Sequence, residues 1–440
     1  MSETALRIEA DEYLPGHGDH SFGVRRYDLA LDYRVEGNRL SGRAEIAAIA
    51  HEPLRAIALD LQDLNVSKVT VDGKPPAKYS HRRGRLEIQL ATRVEAGHEL
   101  AVVVAYSGNP RPIASSVGEA GWEELADGVI VAAQPHGAPS WFPCNDRPSD
   151  KASYRVAITA PADYHVISNG SLMSTQRRAS SMTWTYEQTE PMASYLATVQ
   201  IGRYVVRGLE SPTPMHVVLA ADRVGQLEVA FGRQPQMMDV FCEVYGPYPF
   251  ASYTIVVTDD ELDIPLEAQS VSIFGSNCLS DSWNAERLIA HELSHQWVGN
   301  CVTLTNWKDI WLHEGFACYS EWLWSERSGR RSADVHAREH WSRLDGLPQD
   351  LVLADPGPAL MFDDRVYKRG ALLLHALRLT IGDEVFFLIL REWVARHRYG
   401  SVATVDFIAL AEELAQRRLG ELFKAWLHDG ALPALPDAPH

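Results

Sequence analysis

His291-Glu292-Leu293-Ser294-His295, followed after eighteen intervening residues by Glu314 within Trp311-Leu312-His313-Glu314-Gly315, decides how the rest of the chain is read. Around it, Ala285 to Gly299 has helical periodicity, with Leu288, Ile289, Leu293 and Trp297 as apolar positions and Gly299-Asn300 as a stop signal. Two histidines four residues apart on a helix lie one turn apart on the same face, so both imidazoles can grip one metal ion. A second helix, predicted from Trp311 to about Arg327, brings Glu314 as a third ligand. Three protein ligands with one position open is the layout of a catalytic zinc site, not a closed structural one. Glu292, beside the first ligand, is the expected general base for a water at the open position. Glu321 lies seven residues after Glu314, two turns along the same face. There it can accept a hydrogen bond from the far nitrogen of a ligand histidine.

Composition narrows the remaining classes. A chain of 440 residues has room for two or three domains with their own cores. Its net charge of −17 argues against a nucleic-acid partner, which would need basic patches. No run of apolar residues is long enough to span a bilayer, so no membrane segment is expected. Met1-Ser2-Glu3-Thr4 is polar and acidic, unlike the basic start of a secretory leader, so the expected location is cytoplasmic. The five cysteines (Cys144, Cys242, Cys278, Cys301 and Cys318) are odd in number and include no C-x-x-C pair. Reduced thiols are expected, with no disulfide framework and no cysteine zinc site.

Along the chain, the first two hundred residues read as β-rich. Tyr27, Leu29, Leu31, Tyr33 and Val35 alternate with polar residues, as do Leu86, Ile88 and Leu90. Residues 107–128 lack periodicity and are predicted to be a long loop, and Tyr195 to Tyr204 is predicted to be the last strand of this part. The expected organisation is α+β: an N-terminal all-β domain of sheets packed face to face over residues 1–205, then an α/β catalytic domain over residues 206–440. The second opens with a strand (Met215 to Leu219) and a helix from about Val224 to Tyr245, with a further strand around Glu267. It then becomes mostly helical, with helices expected at Gly370 to Leu379, Val385 to Arg396, Thr404 to Leu414 and Gly420 to Leu427.

These residues resemble peptidase family M1, the gluzincin zinc aminopeptidases, whose pattern is H-E-x-x-H, eighteen residues, then Glu inside W-L-N-E-G. His313 stands at the usual Asn; adjacent helix residues point about 100° apart, so it is expected not to be a ligand. Val366-Tyr367-Lys368-Arg369-Gly370 resembles the family segment whose Tyr donates to the tetrahedral oxyanion, which implies that role for Tyr367. Pro265-Leu266-Glu267-Ala268-Gln269 stands at the family's G-x-M-E-N, and Glu267 precedes His291 by 24 residues. By resemblance Glu267 binds the substrate's free α-amino group. Ile264 and Ala268 depart from the pattern, and Pro265 removes a backbone N–H from a strand expected to line the substrate. Gln134, ahead of Pro143-Cys144-Asn145-Asp146-Arg147-Pro148, falls where the family has a second contact to the amine.

The resemblance runs from about residue 20 to about residue 430 and implies a saddle-like N-terminal sandwich followed by a thermolysin-like catalytic domain, without the large C-terminal helical domain of longer relatives. It implies one zinc ion on His291, His295 and Glu314, Glu292 as base, Tyr367 on the oxyanion, and peptide substrates with a free N-terminus. A thermolysin-type endopeptidase, a lipid-epoxide hydrolase as in one family branch, and a catalytically weak peptide-binding relative are the alternatives. Oligomeric state and the preferred N-terminal residue are open at this level.

Overall fold

The computed structural model describes residues 11–115 and 118–437; Met1-Ser2-Glu3-Thr4 lies outside them. The chain divides into two compact units. One takes the residues through Glu124 together with Val129–Val166 and Leu172–Val199, and the other takes Leu125–Gly128, Ile167–Ser171 and everything from Gln200 on.

The first unit is built on a seven-stranded sheet. Its spatial order is Ser171–Arg178, Ser181–Met192, Ala152–Pro161, Phe22–Arg34, Arg39–Ala50, Glu99–Gly108 and Asn65–Val71. Phe22–Arg34 and Ala152–Pro161 pair in parallel, while the neighbouring pairs are antiparallel. The alternation read in the sequence is realised, since Tyr27, Leu29, Leu31 and Tyr33 are all buried. A separate three-stranded sheet joins Leu54–Asp60, Arg85–Val94 and Lys78–Arg82.

Residues 107–128 are not a long loop. Ile113–Ser115 and Gly118–Leu125 form an antiparallel pair. The second strand hides because Ala120, Gly121 and Trp122 are buried consecutively, which erases the alternation that marks a half-buried strand. Gly121 has φ +126°, and a Cβ there would lie 2.4 Å from Ser140 Oγ, so the position admits only glycine.

This unit also holds a buried acidic cluster. Asp60 accepts from the backbone N–H of Gly18 (2.8 Å) and Asp146 (3.0 Å) and pairs with Arg85. Asp146 accepts from His17 Nδ1 (2.9 Å) and Ser194 Oγ (2.7 Å). Asp150 accepts from Val24 N–H (3.0 Å) and Asn145 Nδ2 (2.5 Å), and burial pushes its pKa up to about 6.

The second unit pairs a mixed five-stranded sheet with helices. The spatial order is Tyr204–Leu209, Met215–Ala220, Tyr253–Val257, Val271–Phe274 and Leu266–Ala268, which leaves the strand bearing Glu267 at the edge. The helix expected from Val224 to Tyr245 is broken. A 3-10 turn (Ala221–Gln226) leads into α1 (Leu227–Phe231), and α2 (Gln234–Tyr245) starts afresh after Gly232-Arg233. Pro235 has no N–H to continue the helical ladder, so it is tolerated only in the first turn of a new helix. Likewise Tyr195–Tyr204 is not one strand: a 3-10 turn (Ser194–Leu196) precedes Val199–Gly202, and Tyr204–Leu209 pairs with Met215–Ala220.

The helices follow as α3 (Trp283–Ser294), α4 (Trp311–Arg327), α5 (Ala333–Asp345), α6 (Asp364–Ile381), α7 (Asp383–His397), α8 (Thr404–Ala415) and α9 (Gly420–Leu427). Among the described residues no helix is long and apolar enough to cross a membrane.

Candidate metal centre

Ser282 caps α3 by accepting from Ala285 N–H (3.2 Å), and the helix runs to Ser294, not to Gly299 as its apolar spacing suggests. His295 keeps helical dihedrals (φ −56°, ψ −23°) and so stays one turn from His291. Beyond it the chain tightens and reverses through Gly299 at φ +133°. The reversal has a local effect: the Val298 carbonyl turns back to accept from His295 Nδ1 at 3.1 Å. A continued helix would have pointed that carbonyl along the axis instead.

His291 Nδ1 donates to Glu321 Oε1 at 2.8 Å. With both Nδ1 atoms donating, Nε2 of each ring is the atom left to face a cation once its proton is displaced. They lie 3.4 Å (His291) and 3.5 Å (His295) from Glu314 Oε2, and the rings are 4.8 Å apart. One ligand atom from each of His291, His295 and Glu314 lies within 4.8 Å of the others. All three side chains are buried. This donor set, two neutral-capable imidazoles and one carboxylate, fits a single zinc ion with room for a further ligand.

The electrostatics agree with a site built for a cation. Burial alone would lower the histidine pKa values, but hydrogen bonds to Glu314 and Glu321 lift His291 to about 10. The charges of Glu314 and Glu267 lift His295 to about 8. Burial would raise Glu314, yet His295 and His291 outweigh it and hold the carboxyl well below its usual range. Glu321 is likewise held at about 2, against burial, by Lys368, His291 and Arg287. Arg287 meets its other oxygen at 3.2 Å. Lys368 also donates to Cys318 Sγ at 3.2 Å.

Glu292 is 4 % exposed, and its Oε2 has no hydrogen-bond partner among the described residues. Burial lifts its pKa to about 8, with Glu267 adding to the rise and His291 opposing it. A buried carboxylate oxygen left open is costly unless another group arrives to use it. Glu292 and Glu267 form a second close group with His295, again with one ligand atom each within 4.8 Å. Tyr367, in the first turns of α6, lays its ring against His291 with centroids 6.1 Å apart and planes 20° from parallel. Burial and the nearby Glu314, Glu267 and Glu292 push its phenol well above the usual range, so it keeps its proton to donate. Tyr367 is brought near Glu314 by a bare backbone contact between α4 and α6: a Cβ on Gly315 would sit 2.8 Å from Gly370 Cα.

The structure therefore brings together His291, His295, Glu314, Glu292, Glu267, Glu321 and Tyr367. His313 is not among the grouped ligand residues; its Nε2 accepts the Leu304 N–H at 3.0 Å, from the short strand before α4. Gln134 belongs to the first unit, half-buried in the turn after the Gly128–Ala132 strand. Arg287 and Lys368 were not singled out from sequence. Arg287 had a signal, since it lies four residues before His291 and shares its helix face. Lys368 reaches Glu321 from another helix, and no spacing rule finds it.

Two family descriptions match the chain. The peptidase M1 N-terminal domain covers residues 24–196, and the peptidase family M1 domain covers residues 229–426. Aminopeptidase M1-D of Oryza sativa subsp. japonica is 23% identical over 93% of this chain and 50% of its own length. Glutamyl aminopeptidase of Bos taurus is 26% identical over 93% of this chain and 47% of its own. The chain thus spans about half the length of the curated relatives it matches. The crystal structure of the M1 zinc metallopeptidase from Deinococcus radiodurans superposes with a TM-score of 0.90 at 29% identity, covering 97% of this chain and 98% of that one. A mutant of that enzyme was crystallised bound to a Tyr-Ser-Ala substrate. The chain belongs to peptidase family M1.

Proposed function

We propose that this chain is a zinc-dependent aminopeptidase that removes N-terminal residues from peptides. The observation that carries the reading is the open, buried Oε2 of Glu292 beside the converged His291, His295 and Glu314, with the Glu267 carboxylate in reach of the same group. His291, His295 and Glu314 would hold a zinc ion, which would supply Lewis-acid activation of a water and of the scissile carbonyl. The remaining work falls to the protein's own side chains. Glu292 takes the proton of the attacking water and delivers it to the leaving amine. Tyr367 donates to the oxygen on which charge develops, an interaction made only as the transition state forms. Glu267 receives the cationic α-amine and so places the first residue of the peptide. Glu321 orients His291 through Nδ1. The five cysteines are free thiols, which fits a reducing, cytoplasmic setting.

Aminoacyl-coumarin amides, assayed beside their N-acetylated counterparts with and without a zinc chelator, test the reading. Chelator-sensitive cleavage of only the free-amine set is expected. Cleavage of the acetylated set would point to an endopeptidase. A zinc-loaded protein that cleaves neither would point to a peptide-binding role.

A further inference from the structure

The strand that carries Glu267 is short and lies at the sheet edge. Leu266–Ala268 is three residues long, lies at the sheet edge, and pairs on one side only, with Val271–Phe274. The approach to it is exposed, with Ile264 67 % accessible, and Pro265 contributes no N–H. Yet the Glu267 carboxylate must stand at a set distance from the metal ligands if it is to register a peptide amine.

We propose that Gln296 is the positioning residue that sets this strand against the metal-binding helix, with Asn300 as its second; the proposal rests on the aminopeptidase reading and names what governs its hold on the amine. Gln296 is fully buried. Its Nε2 donates to the Ala268 carbonyl at 3.1 Å, and its Oε1 accepts the Ser270 N–H at 2.7 Å. Those two partners fix which end of the amide is which, since a carbonyl can only accept and an N–H can only donate. One side chain thus treats the Ala268-Gln269-Ser270 turn as a neighbouring strand would. Asn300 Nδ2 adds a second donor to the Ala268 carbonyl at 3.1 Å.

The clamp begins beside the metal. Gln296 is bonded to His295, whose ligand atom lies within 4.8 Å of a Glu267 oxygen. Asn300 is tied to the same residue, its N–H donating to the His295 carbonyl at 3.0 Å. The turn it grips is itself strained, because Ser270 has φ +64°, a region that a residue with a side chain occupies only when its surroundings enforce it. Asn169 Nδ2 donates to the Gln269 carbonyl (2.7 Å) and Gly170 N–H to Ser270 Oγ (2.8 Å), so the turn is held from its other side as well. Moving the turn would carry Glu267 away from the amine position while leaving His291, His295 and Glu314 in place.

The test uses Gln296→Ala and Gln296→Met in the zinc-loaded full chain, alone and in a Glu267→Ala background, with free-amine aminoacyl-coumarin substrates. Zinc content is expected to match the parent. KM is expected to rise about tenfold, the scale of a lost buried hydrogen-bond pair, with kcat within about twofold. In the Glu267→Ala background the Gln296 changes are expected to add nothing, because a residue acting through Glu267 has nothing left to position. Ser270→Gly, which relaxes the turn and leaves the clamp residues intact, is expected to raise KM in the same direction by a smaller factor, and it serves if the Gln296 variants fail to fold. A parallel fall of kcat and zinc content, or a Gln296 effect that persists without Glu267, would overturn the proposal in favour of a general structural role. If the parent cleaves acetylated substrates, or Glu267→Ala alone leaves KM unchanged, the aminopeptidase reading fails first and takes this proposal with it; those two arms involve no change at Gln296.

Discussion

Each unit contains a buried cluster of acids and histidines, and the two are finished in opposite ways. In the first unit Asp60, Asp146 and Asp150 are closed by backbone N–H groups, side-chain donors and Arg85. In the second, Glu314 and Glu321 are paired but Glu292 is left with an open oxygen. The ingredients are nearly alike: carboxylates, histidine, burial. Between these two clusters the difference is whether each carboxylate oxygen meets a donor among the described residues. A satisfied cluster ties loops together, whereas an incomplete one carries an energetic demand that a metal, water or substrate can meet.

The largest effect expected from this contrast is at Glu292. Glu292→Gln should lower kcat by about 10³-fold, within the range for a lost general base, and leave zinc bound. Measurable wild-type-like turnover with zinc present would place the base elsewhere. Tyr367→Phe comes next: kcat/KM should fall by about 10²- to 10³-fold with little change in KM, the pattern of a donor used only in the transition state. A rise in KM at constant kcat would instead make Tyr367 a substrate contact.

Metal affinity probes the same cluster from the proton side. In the metal-free protein the neighbouring carboxylates, Glu314 and Glu321 at His291 and Glu314 and Glu267 at His295, raise the histidine pKa values and so favour bound protons. Zinc must displace them. Raising the pH removes the competitor, so apparent affinity should strengthen as pH rises through neutrality, by about tenfold per pH unit for each proton displaced. Calorimetric titration at several pH values checks the slope, and a flat profile would mean the rings are already neutral. Glu321→Ala should weaken zinc binding by about 10- to 100-fold, through loss of the hydrogen bond that orients His291. In the closed cluster, Asp60→Ala should cost about 3 kcal/mol of stability by chemical denaturation and leave the kinetic constants of the folded fraction alone. A change in KM there would mean that the first unit's acids are not purely structural.

How much of this was legible in the sequence depends on whether a contact follows a local period. His291, His295, Glu314 and Glu321 all lie on helices, and helical spacing converts sequence separation directly into a shared face. That is why their convergence can be read without coordinates. Arg287 follows the same rule and was overlooked. The clamp on the Glu267 turn obeys no such rule: Gln296 and Asn300 meet Ala268 and Ser270 across an irregular segment, where residue spacing carries no direction. His313 shows the limit within a helix, because its neighbour Glu314 joins the group while His313 accepts a backbone N–H from the short Thr303–Leu304 strand. The Gly118–Leu125 strand was missed for a related reason, since a run of consecutive buried residues around Trp122 looks aperiodic.

The Gly315–Gly370 contact has a consequence for anyone wishing to re-engineer this protein. Glycine inside a helix is a standard target for stabilisation, since alanine is favoured there by about 1 kcal/mol. At these two positions that substitution would wedge α4 from α6, because a Cβ on Gly370 would lie 2.7 Å from Gly315 Cα. Libraries aimed at heat resistance should leave both glycines untouched.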